Sequence, residues 1–483
     1  MASILPGLRK ATPRLSRDFF ICHQCLKQPR PTLRQTKFPA KSISSRSIRF
    51  NSHTATITES ANGVSPLSSL AESLSKSSQA INKESSRSRF PETSSKSVGY
   101  WLLGSAASVF GIVVFGGLTR LTESGLSITE WKPVTGSLPP LSAADWESEF
   151  DLYRASPEFK LLNPHMTMEE FKKIYFMEWF HRLWGRFIGL SFVVPAAYFV
   201  ARRKVSKPMA LRLLGISGLI GFQGAIGWWM VKLTTHLGAA FICYTAMLWN
   251  GLSILRDRKL LFNSTPAQAH AHLLRLSSPS LSVFRKSVAG LALLVFTTAM
   301  SGGLVAGLDA GLIYNEFPRM GKGFAPPKSE LFSEFYSRQP DRSDLWWRNM
   351  LENPSTVQLD HRILATTSFT AILALWAYSR FNPRVKTALP KSGAKGMLGV
   401  VHLLMMQVTL GISTLIYLVP TPLASAHQAG SLALLSGVVV LGSRVWVPKR
   451  TMAILRRKLA SQSPQAARVK FASRVPPLAS KTS

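Results

Sequence analysis

Acidic residues are scarce in this chain. Its 483 residues hold 24 Asp and Glu against 58 Lys and Arg, a formal net charge of +34. Asp18 is the only acid before Glu59, and none follows Arg444. Such a surplus fits a nucleic-acid protein or one at an anionic membrane surface. No basic-aromatic module of the nucleic-acid repertoire is visible. The charges do not gather into a binding face; they lie at the chain ends and between apolar runs, so nucleic acid is not an expected partner. Cysteine is scarcer still: Cys22, Cys25 and Cys243 build no disulfide framework. Cys22-His23-Gln24-Cys25 is half a metal site without a second half. Residues 1–50 also lack the long apolar run of a secretory signal. Rich in Arg, Lys and Ser, they read as a mitochondrial transit peptide. Residues 51–97 read as a disordered, Ser-rich matrix linker.

What is abundant is apolar length, in a chain that is 46% hydrophobic. The first uncharged run, from about Val98 to Leu118, has the roughly 20 residues a bilayer requires. A polar segment follows, Thr119–Tyr175, with amphipathic pieces near 142–154 and 167–176. Seven more apolar stretches centre near residues 190, 220, 246, 297, 371, 408 and 434. The expected fold is an all-α membrane protein of eight transmembrane helices. Lys and Arg crowd the loops after the second, fourth and sixth spans and the tail after the eighth, as in Arg202-Arg203-Lys204, Arg256, Arg285, Arg380, Arg384 and Arg450. That bias puts those loops and both termini in the matrix. The loops of about 119–178 and 309–358, which hold most of the acids, then face the intermembrane space.

An internal repeat emerges once the spans are counted. Gly116-Gly117-Leu118 and Ser124-Gly125-Leu126 recur as Gly302-Gly303-Leu304 and Ala310-Gly311-Leu312; His181-Arg182 recurs as His361-Arg362; Gln223 with Gly227 recurs as Gln407 with Gly411; His236 recurs as His427. Four spans per half keep both halves the same way up, as two parallel-repeat four-helix bundles. The expected layout is 98–260 for the first bundle, 261–286 for a matrix loop, 287–446 for the second bundle and 447–483 for a basic matrix tail.

Four histidines, His181, His236, His361 and His427, sit near the starts of the second, fourth, sixth and eighth spans. Ionisable residues there are costly and are functional candidates, and neutral imidazole is a common axial ligand of haem iron. Within each half the two histidines lie at similar depth, at the non-matrix end, and could clamp one flat macrocycle. The bland alternative is a helix-start histidine bonded to the interface; zinc or copper fits less well, because no thiolate or carboxylate cluster completes a shell. Arg182, Arg186 and Arg362, close to the histidines, suit the carboxylate tails of a porphyrin or simple snorkelling. The halves differ three residues before the histidine: Glu178 in the first, Gln358 in the second. Residues i and i+3 share a helix face, so a carboxylate able to move protons or stabilise a cation faces the first site only; otherwise Glu178 is merely solvated above the membrane. The first half thus reads as the chemical one and the second as a resident cofactor site. His402, inside the seventh span, reads as a satisfied core residue or as a group supporting a haem ligand; His165, His270 and His272 read as loop residues, and Trp228 and Trp229 as interface anchors.

Gly116-Gly117-Leu118-Thr119-Arg120-Leu121-Thr122, Ser124-Gly125-Leu126-Ser127, Glu178-Trp179-Phe180-His181-Arg182 and Trp184-Gly185-Arg186 resemble the mitochondrial haem A synthase family over about residues 98–446. The resemblance implies an oxidoreductase of the mitochondrial inner membrane that oxidises the C8 methyl of haem O to a formyl group by successive hydroxylations, with water as the expected oxygen source. It implies that His181 and His236 flank the substrate haem O, that Glu178 is the catalytic carboxylate, and that His361 and His427 ligate haem b. It suggests a matrix ferredoxin, haem O synthase and a second copy of the chain as partners beside haem O and haem A. Bacterial members with a cysteine pair in the first outward loop differ, since residues 119–178 contain no Cys. Two other classes stay open: a bis-histidine electron-transfer cytochrome, and a haem carrier without chemistry. The haem O-forming prenyltransferase needs acidic motifs to hold a diphosphate through Mg²⁺, and the spans contain no Asp-rich pair.

Overall fold

The computed structural model describes residues 90–461, apart from 131, 133–134 and 229–232. Residues 1–89, which hold the expected transit peptide (1–50) and most of the expected linker (51–97) with Cys22 and Cys25, and the tail beyond 461 lie outside the described residues, as do the side chains of Trp228 and Trp229.

Eight long helices carry the architecture: α1 (Lys96–Leu121), α2 (Met168–Ala201), α3 (Lys207–Trp228), α4 (Leu233–Phe262), α5 (Ser282–Gly307), α6 (Pro354–Phe381), α7 (Lys391–Ile416) and α8 (Thr421–Val445). There is no β-strand among the described residues, only an isolated bridge between Met320 and Gly323. The protein is an all-α membrane protein. All of these but α6 are long and apolar enough to cross a bilayer. The 28-residue α6 matches in length but is diluted by Thr366, Thr367, Ser368 and Thr370. Those hydroxyls bond within the bundle: Thr366 Oγ1 to the Arg362 carbonyl, Thr367 Oγ1 to Ile363, Thr370 Oγ1 to Thr366, and Ser368 Oγ to Thr298 Oγ1. Satisfying them internally lowers their cost away from water. The outward faces are apolar: Leu190, Leu214 and Leu293 are 67%, 70% and 67% exposed, as residues facing lipid tails would be.

In the first half α1 packs on α2, α2 on α3, α3 on α4 and α4 back on α1; in the second, α5, α6, α7 and α8 close in the same order. The halves meet through α1 with α8, α4 with α5, and α4 with α8. A single apolar core runs through both, from Leu102, Phe192 and Met247 to Phe284, Ile372 and Val438. Lipid tails are as apolar as leucine, so packing and hydrogen bonds join these helices. Tyr244 and Ser436, for example, share a 2.6 Å hydrogen bond between α4 and α8.

Local signals explain the helix starts. Ser142 and Asp145 form a capping box at the helix Ala143–Arg154, and Thr167 and Glu170 form one at α2. The second amphipathic piece, 167–176, is therefore the first turns of α2 rather than a separate element. His270 and His272, expected in a loop, lie on the helix Pro266–Leu276, whose Leu273 and Leu276 pack with Leu455 of the helix Lys449–Ser461. His402, expected in the core, is exposed on α7.

Candidate functional site

Each of the four histidines packs against a glycine of a neighbouring helix. A Cβ on Gly116 would lie 2.7 Å from Cε1 of His181, one on Gly227 3.3 Å from that of His236, one on Gly302 3.1 Å from that of His361, and one on Gly411 2.7 Å from that of His427. Glycine at these positions lets a helix backbone approach the flat ring. Each imidazole is half-buried. Nδ1 of His181, His236 and His427 is enclosed without a partner, whereas Nδ1 of His361 meets Ser301 Oγ at 2.8 Å. His181 on α2 packs against α1 and His236 on α4 against α3, while His361 on α6 packs against α5 and His427 on α8 against α7, so each closed ring of four helices holds two of the histidines. Both second histidines are held alike: Gln223 Nε2 donates to the His236 carbonyl at 3.1 Å and Gln407 Nε2 to the His427 carbonyl at 3.0 Å.

Glu178 is buried, 4% exposed, and not solvated. Its Oε2 accepts from Ser127 Oγ at 2.7 Å and from the Ile128 amide at 2.8 Å; its Oε1 accepts from Arg182 at 2.6 Å. Arg182 donates also to the carbonyls of Ile128 and Glu130. Gln358 repeats the placement without the charge, its Nε2 donating to the Tyr314 carbonyl at 2.9 Å. Arg362 donates to the carbonyls of Tyr314, Glu316 and Arg319, and its Nε is enclosed without a partner. Arg186 donates to the Lys132 carbonyl at 2.8 Å. The three arginines thus pin the segments following α1 and α5 onto α2 and α6, a task the sequence did not suggest. Ser127, a ligand of the Glu178 carboxylate, was missed as well. It was visible only as part of the Ser124-Gly125-Leu126-Ser127 motif.

Among the described residues no group of three or more His, Cys, Asp or Glu comes together as a metal shell. What each half offers is two imidazoles on different helices of one ring; the carboxylate near the first pair, Glu178, is already engaged by Ser127, the Ile128 amide and Arg182. That donor set would suit haem, whose iron the imidazole nitrogens of the two histidines would hold. The residues present therefore fit haem in both halves.

A second contact joins the sites. Gln428, next to His427, reaches across to α1, where its Nε2 donates to the Val113 carbonyl at 2.9 Å and its Oε1 lies where a Cβ of residue 117 would stand, 1.5 Å from that position. Gly116 thus faces His181 while Gly117 receives the neighbour of His427. At the repeat-related place, a Cβ on Gly303 would lie 3.1 Å from Leu237, the neighbour of His236.

The family described as cytochrome oxidase assembly protein matches residues 99–439, a span that includes all four histidines and Glu178. "Heme A synthase COX15" of Saccharomyces cerevisiae is 50% identical over 379 residues, covering 74% of this chain and 77% of its own length. The "Heme A synthase-mitochondrial ferredoxin fusion protein" of Schizosaccharomyces pombe is 48% identical over 374 residues, 73% of this chain and 60% of that longer protein. "Heme A synthase COX15" of Homo sapiens is 44% identical over 363 residues, 71% of this chain and 81% of its length. With the match running through both histidine pairs, the chain belongs to the cytochrome oxidase assembly protein family.

Proposed function

We propose that this protein is a haem A synthase, converting the C8 methyl of haem O to a formyl group by successive hydroxylations. The observation that carries this reading is the asymmetry of two otherwise matching histidine pairs: a buried, hydrogen-bonded carboxylate, Glu178, stands beside one pair and the amide Gln358 beside the other. The names of the relatives agree with it.

In this reading His181 and His236 hold haem O, and His361 and His427 hold haem b. Haem b, when bound, supplies a route for electrons. Water as the oxygen source makes each hydroxylation release two electrons and two protons. Glu178 is placed to take a proton or to stabilise a cation, and Ser127, the Ile128 amide and Arg182 fix its orientation. A carboxylate so held cannot swing away, and only its proton and its charge are left to act. Arg182, Arg186 and Arg362 would bind porphyrin carboxylates, and the enclosed Nε of Arg362 supports this for the second half.

The same reading places the protein in the mitochondrial inner membrane with eight spans, both termini in the matrix and the histidines toward the intermembrane space. The four-helix rings are then two parallel repeats. A ferredoxin-class electron carrier on the matrix side is the partner supported by the fused relative; haem O synthase and a second copy are further partners of this reading. The test removes ligands half by half in the full chain. His181→Ala should abolish haem O binding and leave haem b; His361→Ala should do the reverse. If both haems survived both changes, the pairing would be wrong.

A further inference from the structure

The halves hold their first histidine in different surroundings. In the second half Ser301 Oγ donates to the Thr298 carbonyl at 2.7 Å and meets Nδ1 of His361 at 2.8 Å. A serine hydroxyl has one proton to give. With that proton on Thr298, Ser301 accepts from Nδ1–H of His361, and the free lone pair of the ring is on Nε2. A hydroxyl network backs the contact, since Thr298 Oγ1 and Ser368 Oγ share a 2.8 Å hydrogen bond.

In the first half the residue before Gly-Gly-Leu is Phe115, not serine. Its ring lies nearly parallel to that of His181, with centroids 6.5 Å apart and planes 11° from each other. Phe180 and Trp184 complete an aromatic wall around Phe115. Nδ1 of His181 is enclosed there without a partner. The residues standing where Thr298 and Ser368 stand in the repeat are Ile112 and Ile188. Among the described residues, the ring of His361 is the one of the four that is tethered by a hydrogen bond to a side chain.

We propose that Ser301 is a positioning residue that makes the second half retain its haem, and that Phe115 in its place leaves the first half able to exchange haem. This rests on the reading that the histidine pairs are axial ligands. An acceptor at Nδ1–H fixes the ring and raises the basicity of Nε2, and losing such a partner costs ~10–100-fold in metal affinity. A resident cofactor needs that grip. A substrate that enters and a product that leaves are better served by a ligand without it.

The experiment uses the full chain carrying His181→Ala, so that bound haem b reports on the second half alone. Release of haem b to an excess of an apo-globin scavenger and the midpoint potential are measured with Ser301, with Ser301→Ala and with Ser301→Thr. Ser301→Ala should speed release about 10–100-fold and raise the potential, because a less basic imidazole stabilises ferric iron less. Ser301→Thr, which keeps the hydroxyl, should restore both. Unchanged release and potential in Ser301→Ala would overturn the proposal while leaving the haem reading standing. If His361→Ala bound as much haem b as the chain with His361 intact, the haem reading itself would fall, and this proposal with it.

Discussion

Glu158 lies on the short helix Pro157–Leu162, outside the membrane helices, and is 6% exposed with Oε2 lacking a partner. Burial, then the charges of Glu178 and Glu123, push its carboxyl from an ordinary 4.5 up to about 7 against the opposing pull of Arg120. The folded protein therefore binds this proton more tightly than the unfolded chain does. Its contribution is fully present below about 4.5 and is lost as the pH rises through about 7. Glu158→Gln should remove that dependence, raising stability by on the order of 1–3 kcal/mol in mildly alkaline buffer and hardly at all in acid; thermal unfolding in detergent at both pH values checks it. At this scale the sequence was partly legible. The histidines and Glu178 stood out because ionisable groups at the edge of apolar runs are rare. Nothing in the sequence singles out Glu158, whose neighbour Phe159 packs into the aromatic cluster of Phe150, Tyr153 and Phe171, a tertiary contact no spacing reveals. The arginines were recognised as important, but their backbone carbonyl partners lie 43 to 54 residues away and could not be seen in a linear reading.

Between elements, the joint of α1 with α8 depends on one glycine. Alanine at 117 would place its Cβ 1.5 Å from Gln428 Oε1 and 2.3 Å from its Cδ. Gln428 would have to leave, and its bond to the Val113 carbonyl would be lost. Gly117→Ala should cost ~1–3 kcal/mol of stability, while Gln428→Ala added to it should cost little more, since the clash and the bond are one feature. A double-mutant cycle on thermal unfolding measures this, and strictly additive effects would show that the two residues do not meet. Long helices were readable from uncharged length alone, and the glycine pairs from their repetition. The reason for those glycines was not, because it lies in which ring or side chain another helix presents. The helices Pro266–Leu276 and Lys449–Ser461 were hidden for a related cause: each is amphipathic, and its apolar face makes sense only against the other.

For the whole molecule, the proposed orientation rests on charge. The surplus of 58 basic over 24 acidic residues lies in the chain ends and in the loops that this reading turns to the matrix. In mitochondria with a ruptured outer membrane, a protease site placed in the segment 333–343 should be cut, and a tag following Ser461 should be protected until the inner membrane is opened. The duplicated histidine pairs, the buried carboxylate of Glu178 and the closed rings of four helices support one proposed account, in which one half changes a haem and the other keeps one. The measurement that tests it most directly is a haem profile from cells that make haem O but lack haem A. The chain with Glu178 intact should yield haem A, and Glu178→Gln, folded and targeted to the same membrane, should leave haem O or a partly oxidised form in the protein. Haem A at the same rate from both would contradict the role assigned to Glu178, and unchanged haem O from both would contradict the synthase itself.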